Sequence, residues 1–360
     1  MSIRRSSVVT MFMTALLFHA VSYALADSMT IYADGFIVPS QFRAETDIDD
    51  TNCVERAFAD GRNVRFDRSY KVTTVTLSGG SRTIDFNGYK LVGLADENQL
   101  DSVLRIAGSR MTIMNAHVDA NWKNYRCAVH WLGLSSGFAS QHVQIYGLTI
   151  ENAEIGLLFG EYLDREPANV GAESENYVQG LQLFNVQNCI QMNDTNGSLF
   201  VSDSTIDCTR FTWRNEHISY DDEKARCIQI NAGAFRISNS EILKTQSHAG
   251  FVIEGSCWIS GCRIEAGGTI IRAGNGKEIF ISDSSIQIPS LDPSHPIIDV
   301  ESSVNTICMI SNSGLEAGAI AKFVSNPPQN TSIVLTNCIV QPPRALSGEK
   351  YIQTINTRSK

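Results

Sequence analysis

The sequence has few basic residues and no cluster of them. It contains 29 lysines and arginines against 38 aspartates and glutamates, which gives a formal net charge of −9 at pH 7. No dense Lys/Arg patch interleaved with aromatic residues occurs along the chain. Nucleic-acid binding depends on such patches, so the composition argues against nucleic acid as the main partner.

Long apolar runs are also scarce. Val8 to Tyr23 is mostly apolar, follows Arg4 and Arg5, and leads to a small-x-small site at Ala24-Leu-Ala26. This order is typical of a signal peptide, so residues 1–26 are predicted to be cleaved off after Ala26. The mature protein is then expected to be secreted or periplasmic. No second run of membrane length follows, so no membrane span is expected after removal of the signal.

Metal and cofactor motifs are missing. Cys257 and Cys262 stand alone, without partners at zinc-site spacing, and no compact Asp cluster indicates calcium. We therefore expect no cofactor and no metal. The nine cysteines are an odd number without the repeating spacing of a disulfide scaffold. This favours thiols that fill a narrow core over a disulfide framework.

What the sequence does contain is a short recurring pattern: an apolar residue, a second residue, then Asn, Asp or Gly. The copies are Ile113-Met-Asn115, Ile145-Tyr-Gly147, Leu183-Phe-Asn185, Val201-Ser-Asp203, Ile237-Ser-Asn239, Ile259-Ser-Gly261, Ile281-Ser-Asp283, Ile310-Ser-Asn312 and Leu335-Thr-Asn337. Asn, Asp and Gly tolerate a left-handed backbone, so each copy predicts a strand, a sharp corner and a further strand. A recurrence every 18–38 residues predicts stacked units.

Each unit is predicted to be a coil of three short strands. The first is rich in apolar residues, the second ends at the Asn/Asp/Gly corner, and the third follows that corner. We call the surfaces that they build the first-, second- and third-strand faces. The predicted fold is all-β, a single-stranded parallel β-helix of about 9–11 coils over residues 72–341. Residues 27–71 would hold a strand and a short capping helix, and residues 342–360 a C-terminal tail.

The order of segments resembles a known superfamily. A predicted helix is followed by Ala59-Asp-Gly-Arg-Asn-Val-Arg-Phe66, Tyr70-Lys-Val72 and Ile84-Asp-Phe-Asn-Gly88, and then by the coils. This is similar to the pectate-lyase-like right-handed parallel β-helices, among them phage tailspikes, capsule depolymerases and β-helix proteins of bacterial exopolysaccharide clusters. The resemblance implies a right-handed coil, a polysaccharide partner and, if the chain is tailspike-like, a homotrimer. Asp67-Arg-Ser69 departs from the Pro-x-Gly that those proteins often carry before the Tyr.

Three insertions are predicted to flank the first-strand face as the rims of a groove: residues 119–126, 160–176 and 208–226. The groove floor would offer polar side chains for sugar hydroxyls: His130, Gln191, Asn193, Gln229 and Asn231. The insertions hold aromatic side chains with flat faces for sugar rings: Trp122, Tyr125, Trp213 and Tyr220. Arg126 completes the predicted substrate-binding set. The alternative is that these aromatic residues pin the insertions onto the coils.

Carboxylates occur on two of the rims. Glu161 and Asp164 lie in one insertion, and Asp221 and Asp222 lie in another. Hydrolysis of a glycosidic bond needs one protonated and one ionised carboxyl group, so these four are predicted catalytic residues, together with His130 on the floor. β-Elimination is the competing chemistry. It needs a base and a cation for a uronate carboxylate, for which the candidates are Arg126, Lys224, Arg226 and Arg272.

Three functions remain open from the sequence. The first is an exported enzyme, a glycoside hydrolase or a polysaccharide lyase, with the hydrolase slightly favoured. The second is a non-catalytic glycan-binding β-helix in exopolysaccharide export or surface attachment. The third is a structural adhesin. A separate file of acids on the third-strand face is predicted to be a solvated surface: Asp119, Glu151, Asp207, Glu265 and Glu316.

Overall fold

The computed structural model describes residues 35–94, 99–122, 125–132, 142–160, 174–193, 197–208, 212–213, 216–217, 227–244, 253–273, 278–300, 307–323, 331–342, 345 and 352–359. Residues 38–360 form one compact unit. The predicted signal peptide, residues 1–26, lies outside the described residues. Among the residues that are described, no helix is long and apolar enough to cross a membrane.

A short helix precedes the first coil, as predicted. A 3-10 turn (Pro39–Phe42) leads to helix α1 (Thr51–Ala59). Its buried side includes Val54 and Phe58, and the Phe58 ring centroid lies 6.3 Å from that of Phe66. The helix therefore covers apolar side chains that an open end of the coil stack would expose to water.

The rest of the unit consists of short strands. In chain order they are β1 (Val64–Arg65), β2 (Tyr70–Val72), β3 (Val75–Leu77), β4 (Thr83–Asp85), β5 (Lys90–Gly93), β6 (Leu100–Ile106), β7 (Thr112–Asp119), β8 (Tyr125–Trp131), β9 (Gln144–Phe159), β10 (Ser174–Met192), β11 (Gly197–Ser202), β12 (Thr205–Asp207), β13 (Thr212–Trp213), β14 (Glu216–His217), β15 (Ile228–Ile230), β16 (Ala234–Ser238), β17 (Glu241–Lys244), β18 (Ile253–Glu254), β19 (Cys257–Ser260), β20 (Arg263–Ala266), β21 (Ile271–Ala273), β22 (Glu278–Ser282), β23 (Ser285–Gln287), β24 (Ile298–Val300), β25 (Ile307–Ser311), β26 (Gly314–Glu316), β27 (Ala321–Phe323), β28 (Ser332–Thr336), β29 (Ile339–Gln341), β30 (Ile352–Ile355) and β31 (Arg358–Ser359).

Twenty-nine of these strands form one sheet that winds into coils. Each strand pairs in parallel with the equivalent strand of the next coil, and β7, β9 and β10 continue around corners. The second-strand face is the ladder β1, β4, β7, β9, β10, β11, β16, β19, β22, β25, β28 and β30. The first-strand face runs through β3, β6, β8, β9, β10, β15, β18, β21, β24 and β27.

The predicted right-handed parallel β-helix is therefore confirmed. The ladder of the second-strand face contains twelve strands, and it extends past both limits expected from the sequence. At one end β1 and β2 already pair with β4 and β5. At the other end β30 and β31 pair with β28 and β29, because even this polar segment can satisfy its backbone groups on the open edge of the last coil.

The recurring pattern builds the core and its corners. Ile237, Ile259, Ile281 and Ile310 stack in register, and each is at most 2% exposed. The corner residue that follows has a left-handed backbone, with φ 51° at Asn312. Its side-chain amide donates a hydrogen bond to Asp283 Oδ1 at 3.2 Å, and Asn337 Nδ2 in turn donates to Asn312 Oδ1 at 3.2 Å. The corner residues therefore also link one coil to the next.

One copy of the pattern lies at a different corner. In the coil of Leu183-Phe-Asn185, the residue in register with Gly147 is Gly180, with φ 75°. Asn185 has φ 56° at the following corner, where its Nδ2 donates to Asn152 Oδ1 at 2.8 Å. The pattern was assigned to the wrong corner because both corners use the same left-handed backbone.

The cysteines are mostly buried thiols, with one exception. Cys208 and Cys227 form a disulfide that closes the 208–226 insertion, and the other seven cysteines are buried thiols outside this disulfide. Cys189 is one of the seven, and its Sγ lies 2.9 Å from Cys208 Sγ. A single insertion is thus covalently tied at its base.

Candidate functional site

The outward-facing middle residues of the first strands form one column in register. Along consecutive coils the column contains His130, Leu158, Gln191, Gln229, Glu254, Arg272, Asp299 and Lys322. On most of these strands the residues on either side are buried, as in Ile298-Asp-Val300. Because neighbouring strands lie about 4.8 Å apart, the column is a linear series of side chains along the stack.

The N-terminal part of this column is closed to solvent. His130 is 1% exposed, Leu158 0% and Gln191 8%. His130 Nε2 lies 2.8 Å from the carbonyl oxygen of Gly160, the residue that follows β9. His130 therefore occupies the predicted floor position, where its side chain is buried against the end of β9. Its catalytic role stays a prediction.

The four predicted amide side chains do come together. Asn231 Nδ2 donates to Asn193 Oδ1 at 2.6 Å, and Gln229 Nε2 donates to Asn231 Oδ1 at 3.3 Å. Gln191 is in register with Gln229 one coil earlier. Asn193 is only 7% exposed, whereas Asn231 is exposed and Gln229 half-buried. The amides accessible to a ligand are therefore Gln229 and Asn231, and the accessible floor begins there.

Towards the C-terminus the column alternates in charge. Glu254, Arg272 and Asp299 are half-buried and Lys322 is exposed. Arg272 Nη1 lies 3.7 Å from Glu254 Oε1. Glu254 and Asp299 are two coils apart, so their backbones are separated by roughly 10 Å, with Arg272 between them. The accessible floor thus carries one arginine with one carboxylate on each side of it.

The sequence patterns predict Arg272 only as a possible cation for a uronate, and they do not predict either of these carboxylates. The sequence does contain a pattern that points to them, because each is a charged residue next to buried apolar residues of a short strand: Ile253-Glu254 and Ile298-Asp-Val300. Such a residue has only the outward direction available. The sequence does not show which residue of the next coil lies beside it, because the coils differ in length.

Tyr125 does not present its ring as predicted. It is 4% exposed, its hydroxyl donates to the carbonyl oxygen of Thr73 at 2.6 Å, and the same hydroxyl accepts a hydrogen bond from the Leu94 amide at 3.0 Å. The side chain thus anchors the start of β8 to earlier coils, which fits the alternative that these aromatic residues pin the insertions onto the coils. Its contact with a substrate stays a prediction. Arg126 is half-buried on the same side of β8 as His130.

The rims are described only in part. Trp122 is half-buried, with φ 50°, and its amide donates to the carbonyl oxygen of Asn152 at 3.2 Å. Trp213 lies on β13, which pairs antiparallel with β14, and its side chain is outside the description. The remaining predicted rim residues lie outside the described residues: Glu161, Asp164, Tyr220, Asp221 and Asp222. Their assignments remain predictions.

The third-strand face is an ion-paired surface. Asp119 and Glu151 are in register, and Glu151 contacts Lys90 Nζ and, at 3.1 Å, His117 Nε2. These partners, His117 first, lower the pKa of Glu151 to about 2 against the opposing effect of its partial burial. Further along, Arg263 contacts Glu265 at 2.8 Å. Paired carboxylates of this kind need no bound cation.

Solved structures with a similar fold are viral proteins. Full-length tailspike protein 2 of an Escherichia coli O157:H7 bacteriophage matches with a TM-score of 0.59 at 13% identity, over 85% of this chain and 43% of that one. The enzymatically active domain of tailspike protein 2 of bacteriophage CBA120 matches with a TM-score of 0.58 at 13% identity, over 86% and 48%. ORF18 of Geobacillus virus E2 matches with a TM-score of 0.51 at 12% identity, over 91% and 65%.

These likenesses show a shared right-handed parallel β-helix fold. The chain spans less than half the length of either of these tailspike protein 2 chains. No protein-family model and no curated protein sequence matches it.

Proposed function

We propose that this protein is exported and binds a polysaccharide along the accessible part of the first-strand face, where it cleaves or modifies the chain. The observation that carries the proposal is the polar column Gln229, Glu254, Arg272 and Asp299, together with Asn231. Amides and charged groups at one coil spacing offer a series of hydrogen bonds to successive sugars. An extended ligand is favoured because the column extends over several coils.

Hydrolysis is the favoured reaction, and it requires two carboxyl groups across the scissile bond. The described candidates are Glu254 and Asp299. The rim residues Glu161, Asp164, Asp221 and Asp222 are further candidates. Arg272 would hold the carboxylate of Glu254 in place through their ion pair. In an elimination the same arginine would instead bind a uronate carboxylate.

The competing function is glycan binding without catalysis, in exopolysaccharide export or surface attachment. The ion pair between Arg272 and Glu254 favours it, because the arginine occupies a carboxylate that catalysis would require. Against it, one structural neighbour is described as an enzymatically active domain. Export by the predicted signal peptide and assembly as a homotrimer are further parts of the proposal. Edman sequencing of the secreted protein and analytical ultracentrifugation test these two parts.

The test is incubation of the mature protein with a panel of bacterial and plant polysaccharides. Reducing ends are measured together with the absorbance of unsaturated uronate. New reducing ends without absorbance indicate hydrolysis, and both together indicate a lyase. We expect Glu254→Gln/Asp299→Asn to lower activity by about 100-fold or more if these carboxyls react. Asp221→Asn/Asp222→Asn tests the rim in the same way.

The matched control is Glu241→Gln on the third-strand face, which is expected to keep full activity. If neither product forms but the glycan is retained by the protein, catalysis is refuted and the binding function stands. If no polysaccharide is retained at all, the proposal as a whole fails.

A further inference from the structure

The second-strand face carries a row of large side chains that the first-strand groove does not use. Its middle outward position is occupied on consecutive coils by Tyr177, Phe200, Arg236, Trp258, Phe280 and Met309. Most of them precede the inward apolar residue of the recurring pattern by one position. Tyr177 is 39% and Met309 46% exposed. We call this row the aromatic stripe.

The rings of the aromatic stripe stack on one another. The centroids of Tyr177 and Phe200 lie 4.7 Å apart with an interplanar angle of 14°, and those of Trp258 and Phe280 lie 5.8 Å apart at 11°. The gap between the two pairs is filled by Arg236. Its guanidinium carbon lies 5.2 Å from the Phe200 ring centroid and 5.4 Å from that of Trp258. The ring faces are thereby occupied by neighbours in the stack, which leaves mainly ring edges for solvent.

Arg236 is therefore an oriented and exposed cation. In the described part of the chain it forms no ion pair, and its contacts are the two rings on either side. A guanidinium held between two rings has fewer orientations open to it, and its exposed N–H groups can still donate to a ligand. A planar fork of donors held in this way matches a carboxylate, which it can bind through two parallel hydrogen bonds.

A column of hydroxyl groups runs beside the stripe. The next outward position holds Ser202, Ser238, Ser260, Ser282 and Ser311 on consecutive coils. Each of these serines is half-buried or exposed. At a spacing of about 4.8 Å they offer one donor and acceptor per coil to a ligand that lies along the stack. A ligand rich in hydroxyl groups fits this arrangement.

We infer that the second-strand face is a separate binding site for a polysaccharide that carries carboxylate groups. Arg236 binds one carboxylate, the serine column bonds to sugar hydroxyls, and the apolar side chains contact the C–H surfaces of the sugars. Exposed Glu175 and Glu278 lie on the same face, so a chain with a carboxylate on every sugar would be repelled. The preferred ligand therefore spaces its acidic sugars with neutral ones. This site does not depend on the proposed groove or on its catalysis.

A second copy of this chain is the other possible occupant. The stripe contains one positive charge and no counter-charge, so a protein interface would bury Arg236 unpaired unless the partner supplied a carboxylate. Burial of an unpaired charge is strongly unfavourable. An acidic glycan supplies the counter-charge and leaves the contact hydrated.

The experiment measures binding of hyaluronan, which alternates acidic and neutral sugars, by titration calorimetry on the mature protein. The comparison ligand is hyaluronan whose carboxylates have been reduced to alcohols. We expect Arg236→Ala to weaken hyaluronan binding by about 10- to 100-fold, the range for a hydrogen-bonded charged group. Arg236→Lys keeps the charge but loses the planar fork, so it should rescue only part of the affinity. The reduced polymer should bind all variants equally weakly.

Arg263→Ala is the matched control, because Arg263 is an exposed arginine on the third-strand face that is already paired with Glu241 and Glu265. It should bind hyaluronan like the wild type. The effect of Arg236→Ala on hyaluronan binding should be the same in the wild type and in the Glu254→Gln/Asp299→Asn background, which separates this site from the groove. Equal affinity of the wild type and Arg236→Ala, or no binding of hyaluronan, overturns the inference. It is also overturned if Arg236→Ala converts an oligomer to monomers in ultracentrifugation, since the stripe would then be an interface between copies.

Discussion

The disulfide at the base of the 208–226 insertion is predicted to be a major local source of stability. Cys208 and Cys227 are 19 residues apart, and closing a loop of that length removes chain entropy from the unfolded state. The chain-entropy relation gives about 3 kcal/mol for such a loop at 25 °C. We therefore expect Cys208→Ser/Cys227→Ser to lower the free energy of unfolding by about 3 kcal/mol.

The nearby thiol of Cys189 offers Cys208 a second possible disulfide partner, which the single variant Cys227→Ser tests. Its Sγ lies 2.9 Å from that of Cys208, and these two cysteines are also 19 residues apart. In Cys227→Ser we expect Cys189 and Cys208 to form a disulfide instead, which closes a loop of equal length. The free energy of unfolding should then fall by much less than in the double variant, although the insertion is no longer tied at both ends.

Urea denaturation followed by circular dichroism measures these differences, and peptide mapping by mass spectrometry identifies the bonded pair. The wild type in excess reductant serves as a control and should match the double variant. The reasoning is refuted if the double variant unfolds at the same urea concentration as the wild type. It is also refuted if Cys208 remains a free thiol in oxidised Cys227→Ser.

Two further predictions concern other parts of the coil stack. The pKa of Glu151 is about 2, below its ordinary value of 4.5, so its ion pairs stabilise the fold above pH 4.5 and are lost as the pH falls towards 2. Glu151→Gln should thus lower the free energy of unfolding by about 1–2 kcal/mol at pH 7 and by almost nothing near pH 2. A difference between wild type and variant that stays constant with pH would contradict this. Asn312→Val should cost at least 2 kcal/mol, because a β-branched residue opposes the left-handed backbone and two amide hydrogen bonds are lost. Asn312→Gly loses only the hydrogen bonds, so thermal melting should show a smaller loss for Gly than for Val, and equal losses would refute the backbone argument.

Local chemistry was enough to predict the coil architecture. A strand alternates its side chains between two faces, and Ile-Ser-Asn places an inward residue, an outward residue and a left-handed corner in three consecutive positions. Ile310 and Asn312 have these roles in the structure. Asn185 lies at a different corner from the one that the pattern predicts, because a left-handed backbone occurs at more than one corner and does not identify which one.

Burial on the outward side could not be predicted in this way. His130 and Tyr125 are polar or amphipathic residues in positions where the pattern expects contact with a ligand, yet both are buried and hydrogen-bonded to backbone groups of other coils. Such contacts depend on the neighbouring coils, and strand periodicity carries no information about them.

Neighbours along the stack were likewise decided by the tertiary structure. Arg236 lies between Phe200 and Trp258, and Arg272 between Glu254 and Asp299, although these residues are separated in sequence by unequal intervals. The coils differ in length because insertions interrupt some and not others, so no fixed spacing aligns one coil with the next. Register is set by the backbone hydrogen bonds and by the packing of inward side chains. The sequence therefore determined which residues face outward, and only the stacking of coils decided which of them meet.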